Sequence, residues 1–117
     1  MKAIETTKDF EQIIASSASK PIFLFKHSTR CGVSSAAWQE FSDFMENTDI
    51  KEAFDFARVL VVEHRPVSLH IAAETTIPHQ SPQVLLIKDG AAIWNTSHWA
   101  IKKGKLEEIA TTHSNVS

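Results

Sequence analysis

The sequence predicts an α/β fold with a four-stranded mixed sheet and helices on both faces. Two observations carry this expectation. Twice, a short and nearly continuous apolar run ("PIFLF" from Pro21, "FARVLVV" from Phe56) is followed by a segment whose apolar residues recur at helical spacing. Later, Asp89-Gly90 stands between two further apolar runs, the mark of a tight hairpin.

The elements follow in order. In "TTKDFEQIIASSAS", Phe10, Ile13 and Ile14 have helical spacing, and Thr7 or Thr6 is the N-cap candidate. Lys20-Pro21 breaks this helix, because the residue before a proline is pushed towards extended geometry. "PIFLFKHS" reads as a strand buried on both faces. Ser28 and Thr29 can cap the next helix, whose apolar positions Ala37, Trp38, Phe41, Phe44 and Met45 lie between Ser34 and Glu46. "FARVLVVEH" is a second buried strand, and Ser68 is a cap candidate for a short helix over Leu69, Ile71 and Ala72. "SPQVLLIKDGAAIWN" reads as strand, turn, strand, and "KKGKLEEIATTH" as a modest amphipathic helix with Gly104 weakening its first turn. Alternating strands and helices imply parallel strands joined by crossovers, and the hairpin implies an antiparallel last strand pair. That is a thioredoxin-like layout, with spatial strand order 2-1-3-4.

Bulk properties narrow the function. A chain of 117 residues with no repeat or linker suits one domain, residues 1–117. At 43% hydrophobic and 22% charged it can bury an ordinary core, so packing rather than disulfides must hold it. The net charge of -2, with both signs interspersed, argues against nucleic acid or an anionic membrane as partner. No apolar run is long enough to span a membrane. The start, "MKAIETTKDFEQ", lacks a signal-peptide apolar region, which with one cysteine leads us to expect a reducing cytoplasm.

The single cysteine, Cys31, is the candidate for chemistry. A free cysteine commonly behaves as a small core hydrophobe. Here it follows a buried strand and opens a long helix, where unpaired backbone N–H groups and the positive end of the macrodipole favour a thiolate. Arg30, and His27 and Lys26 further back, add nearby positive charge that could tune the thiol, and Gly32 lets a partner approach closely. "Cys31-Gly32-Val33-Ser34" has the spacing of a redox C-x-x-C motif with Ser34 in place of the resolving cysteine. Ser81-Pro82 opens the strand "QVLLI" where thioredoxin-like domains carry a cis-proline, in preference to Ile77-Pro78. A cis bond there would turn the Ser81 backbone towards Cys31. No H-x-x-x-H or compact His/Cys cluster occurs among the six histidines, so no metal site is expected.

Four segments, "FKHSTRCGVSSAAWQEF", "RPVSLHIA", "HQSPQVLLIKDG" and "WNTSHWAI", resemble in order those of the monothiol bacilliredoxins, a family of the thioredoxin-like superfamily. The resemblance runs from about Phe10 to Ile109. It implies that Cys31 is a nucleophile that removes bacillithiol, a low-molecular-weight thiol, from mixed disulfides on proteins during stress. Ser34 would be the non-resolving fourth motif position. No resident cofactor is implied. The partners would be S-thiolated proteins, the small thiol as co-substrate and a separate reductase.

Gly32 departs from the proline common in that family, and "CGVS" also looks like the "CGFS" of monothiol glutaredoxins, which use glutathione or share an iron–sulfur cluster. A non-catalytic thioredoxin-like interaction module is the third reading. Bacillithiol carries two carboxylates and a sugar, so Arg30, Lys26 and Arg65 are candidates for an anion-binding rim, with Ser81 and Gln83 offering polar contacts. His27 either tunes Cys31 or packs at the strand end. His79 and His98 are expected to hydrogen-bond turns, and Trp94 and Trp99 to belong to the core rather than to a thiol-binding groove.

Overall fold

The first helix is fixed by its own sequence. Thr6 caps it: its Oγ1 accepts the Asp9 N–H at 3.0 Å, and the Asp9 carboxylate accepts the Thr6 N–H at 3.1 Å. In the computed structural model, which describes residues 1–114, a short strand β1 (Lys2–Ala3) precedes this helix, α1 (Thr7–Ser16). Then come β2 (Ile22–His27), α2 (Gly32–Asn47), β3 (Asp55–Leu60), α3 (Arg65–Thr75), β4 (Gln83–Lys88), β5 (Ala91–Ser97) and α4 (Lys103–His113). Residues 115–117 of the expected domain lie outside the described residues.

The sheet order is β1-β3-β2-β4-β5, so the predicted order of the four longer strands holds and β1 adds a fifth at the β3 edge. Two residues carry no periodicity, which is why the sequence does not announce β1. It pairs parallel with Ala57 and Arg58, and the buried Ile4 anchors it. A second difference lies in direction. β2 runs parallel to β3, but β4 runs antiparallel to β2 as well as to β5, so two pairings are antiparallel rather than the last alone. The connection explains this. Helix α3 runs back along the sheet for about 16 Å. The non-helical segment from Thr76 to Pro82 then returns the chain to the end where β3 left off, and β4 starts there.

Strand β2 alternates between two cores. Ile22 and Leu24 pack with Phe10, Ile13, Val67 and Ile71 of α1 and α3. Phe23 and Phe25 pack with Phe41 and Phe44 of α2 and Leu106 of α4. Both faces and both edges of β2 are covered, which accounts for its unbroken apolar run.

Two capping expectations need correction. The N-cap of α2 is Cys31 itself, not Ser28 or Thr29, and no side chain caps it. Helix α3 begins at Arg65 with Pro66 in its first turn, so Ser68 lies inside it and is fully buried, while Leu69 is exposed. In α4 a distant group does the capping: the Lys103 N–H donates to Glu40 Oε1 of α2 at 2.8 Å.

The hairpin turn is as its sequence predicts. Asp89 (φ 51) and Gly90 (φ 80) both adopt left-handed backbone between the paired residues Lys88 and Ala91. Ser17, at the end of α1, holds this turn: its Oγ accepts the Gly90 N–H at 2.8 Å and its carbonyl the Asp89 N–H at 3.1 Å. A Cβ on Gly90 would meet only Ile14 Cγ2, at an ordinary 3.8 Å. Gly90→Ala is therefore expected to cost backbone strain alone, about 1 kcal/mol, read as a lower urea midpoint at unchanged slope.

Candidate active site

Between β2 and α2 the chain makes one tight turn, with the Cys31 N–H donating to the Ser28 carbonyl at 3.3 Å. Cys31 has extended backbone, is half-buried and free, and its sulfur makes no capping hydrogen bond. Its carbonyl accepts the Ser35 N–H at 3.1 Å, the first bond of the helix. With no side-chain cap, the unpaired N–H groups of a 16-residue helix begin beside the thiol. Gly32 is exposed, and apart from its chain neighbours and its own helix backbone no described atom lies within 4 Å of where its Cβ would stand. Arg30, on the other side of Cys31, is also exposed.

Ser34 sits elsewhere than the motif suggests. It is fully buried, and its Oγ accepts the Ser28 N–H at 2.9 Å while lying 2.8 Å from His27 Nδ1. The hydroxyl has one proton and two lone pairs, so beside accepting the Ser28 N–H it can bond Nδ1 in either tautomer of the ring. Burial pushes the His27 pKa down, Arg58 pushes it the same way and Glu63 opposes them. The ring also stacks on Trp38, with centroids 5.5 Å apart. Ser34 is thus a strut tying the end of β2 to the first turn of α2, and the expectation that it contacts substrate does not fit its burial.

Lys26 is not on a rim. Successive strand residues face opposite ways, so Lys26 points to the α3 side while His27 points to the α2 side. Its side chain is fully buried; Nζ donates to the Ser68 carbonyl at 3.2 Å and lies 3.3 Å from His79 Nδ1. Ser68 Oγ approaches the same Nδ1 at 3.3 Å, so that nitrogen acts as acceptor. Burial pushes the Lys26 amine down to about 8, and His79 is pushed down by burial, then by Lys26 and Arg65. The structure therefore removes Lys26 from the anion-binding candidates. It makes His79 a structural hydrogen-bonder, as its sequence context suggests.

The start of β4 lies beside this turn, since Gln83 pairs with Lys26. The Ser81–Pro82 bond is cis, and Pro82 is buried. Gln83 is buried too; its Nε2 donates to the Pro78 carbonyl at 3.2 Å. Ser81 Oγ and Gln83 Oε1 are buried without a hydrogen-bond partner among the described residues. Arg65 is exposed at the start of α3, five residues after the end of β3 that pairs with His27. The topology thus gathers Cys31, Gly32, Arg30, Ser81, Pro82 and Arg65 at one end of the sheet. Clefts of about 280 and 350 Å³ lie elsewhere, beside β1. The Glu11, His70 and Glu74 side chains converge on α1 and α3, and Cys31 is not with them. Residue type did not reveal the Ser28–Ser34–His27 link; the i to i+3 placement of Ser34 after Cys31 on one helix turn was its only signal.

The sequence matches the family described as monothiol bacilliredoxin BrxC over residues 2–106. Among solved structures, one described as having a thioredoxin fold is 29% identical with a TM-score of 0.79, covering 92% of this chain and 90% of that one. The thioredoxin of Fasciola hepatica is 23% identical with a TM-score of 0.75, covering 97% and 99%. Thioredoxin NaTrxh of Nicotiana alata is 20% identical with a TM-score of 0.76, covering 97% and 92%. The chain has the thioredoxin fold.

Two substitutions separate the two networks. Ser34→Ala strands the Ser28 N–H and His27 Nδ1, and is expected to lower unfolding free energy by about 1–3 kcal/mol in urea titration. Lys26→Met acts in the opposite direction. The Lys26 pKa falls from 10.5 to about 8 on folding, so the folded protein binds fewer protons than the unfolded one between those values. Wild-type stability must then rise with pH through that window relative to the variant. The variant is expected to be more stable at pH 7, on the order of 2 kcal/mol, with the gap closing by pH 10.5.

Proposed function

The chain belongs to the monothiol bacilliredoxin family, and we propose that it removes bacillithiol from mixed disulfides on protein cysteines, with Cys31 as the nucleophile. That it is a thiol-redox protein with a single cysteine follows from family, fold and composition. The observation that carries the finer reading is the placing of Cys31: half-buried and free, at an uncapped helix start, at the sheet end that also bears the cis Ser81–Pro82 bond.

The reaction is thiol–disulfide exchange. The Cys31 thiolate attacks the bacillithiol sulfur of the mixed disulfide. A Cys31–bacillithiol bond forms as the old S–S bond breaks, and the protein thiolate leaves and takes a proton from solvent. A second bacillithiol thiolate then attacks the bacillithiol sulfur of the adduct, leaving as bacillithiol disulfide and restoring the Cys31 thiolate, or a dithiol reductase frees the bacillithiol and is itself oxidised to a disulfide. Gly32 leaves room for the incoming sulfur, and Arg30 and Arg65 supply the positive rim for bacillithiol carboxylates. The backbone at Ser81–Pro82 receives the protein segment. The setting is a reducing cytoplasm under oxidative stress, where such adducts are a reversible state of protein cysteines.

Intact mass after incubation with bacillithiol disulfide, and in parallel with oxidised glutathione, tests this. One bacillithiol adduct on wild type and none on Cys31→Ser, with the circular dichroism of the two unchanged, is the expected result. An adduct with glutathione alone would transfer the protein to glutathione chemistry, and no adduct with either would mean that Cys31 is inert.

A further inference from the structure

One large aromatic side chain at the Cys31 end of the sheet belongs to neither core. Trp99 is 62% exposed, the most of any large apolar residue among those described. Large apolar groups are usually covered, and a lone exposed tryptophan on a mobile loop would need no account. Trp99 is instead held firmly. The His98 N–H donates to the Pro82 carbonyl at 3.0 Å, and the Ile101 N–H to the His98 carbonyl at 3.2 Å. Ile101 is buried in the core of Phe25 and Phe41, and the Lys103 N–H reaches Glu40. His98 has φ 54, the left-handed backbone that non-glycine residues seldom adopt, and it turns the chain at this point. The Lys102 ammonium stands 5.9 Å from the centre of the Trp99 ring.

The sheet register puts this platform near the thiol. Lys26 pairs with Gln83, and Gln83 with Ser97. Cys31 follows β2 and Trp99 follows β5 at the same end of the sheet, and these two strands lie two spacings, about 10 Å, apart. Among the other exposed large apolar residues described, Val62 and Leu69 belong to the β3–α3 side and Ile93 lies six residues before Trp99, in β5. An indole with a cation beside it suits a ligand that is part apolar face and part anion, more than an apolar protein side chain.

We propose that Trp99 and Lys102 form a subsite for the non-thiol part of the small thiol, the indole taking the face of its sugar ring and the ammonium a carboxylate. The proposal rests on the bacillithiol reading above. An aromatic ring offers such a face area and shape at little conformational cost, and the nearby cation gives the contact its direction.

The test compares rates of adduct formation with bacillithiol disulfide and with 2-hydroxyethyl disulfide, which has neither sugar nor carboxylate. Wild type, Trp99→Ala, Trp99→Phe and Lys102→Gln are followed by intact mass. The ratio of the two rates is expected to fall about tenfold in Trp99→Ala and to recover in large part in Trp99→Phe. In Lys102→Gln the bacillithiol rate should lose part of its salt dependence, the rest being due to Arg30 and Arg65. An unchanged ratio, whether from equal losses or from no loss, overturns the subsite and leaves Trp99 a support of its turn. A wild type that reacts with 2-hydroxyethyl disulfide but not with bacillithiol disulfide refutes the bacillithiol reading itself, and the subsite falls with it.

Discussion

Strand β2 has no free side. β3 pairs along one edge and β4 along the other, and each face carries a hydrophobic core. A strand so enclosed has one tolerable register, because a slip of one residue would exchange Ile22 and Leu24 with the larger Phe23 and Phe25. The parity of a residue in β2 therefore decides which helices it meets. That rule extends to the last two residues, Lys26 and His27, and beyond them to the turn that ends in Cys31. The position of the thiol is a consequence of a strand enclosed on every side.

The same parity has a cost. It drives Lys26 into the α3 side of the core, where no carboxylate of the described residues forms an ion pair with it. An ammonium in that place is stabilised only by hydrogen bonds to neutral acceptors, so burial drives the proton off more readily than in water. The acceptors are a helix carbonyl and His79, whose own protonation burial opposes. What the arrangement achieves is a bond from β2 to the segment that delivers Ser81 and Pro82. The two chain stretches nearest the thiol are thus joined through the interior.

On the other face, His27 and Ser34 do a different job. A hydroxyl at the fourth motif position fills a fully buried place and serves two partners at once, a backbone N–H and an imidazole. A thiol there would be a far weaker hydrogen-bonder. Trp38 stacks on the other partner, the His27 ring. The chain has one thiol, and His27, Ser34 and Trp38 hold the shape of the strand end and the first helix turn.

Much of the local structure was legible from residue order. The helical spacing in α1 and α2, the apolar run of β2, the Asp89-Gly90 turn and the placing of Cys31 at a helix start depend on residues a few positions apart, so a short window contains their causes. The order of the four longer strands came from the likeness of this succession of elements to a thioredoxin-like layout. The two-residue β1 was too short to show a pattern, and the direction of β4 depended on how far the segment after α3 travels. The site's inner side was decided by tertiary structure alone. Lys26 looked like a rim cation and Ser34 like a ligand contact, because charge and polarity are visible in a sequence while burial is not. Lys26 finds its partners 42 and 53 residues away, at Ser68 and His79, and only the closed fold brings them within hydrogen-bonding distance.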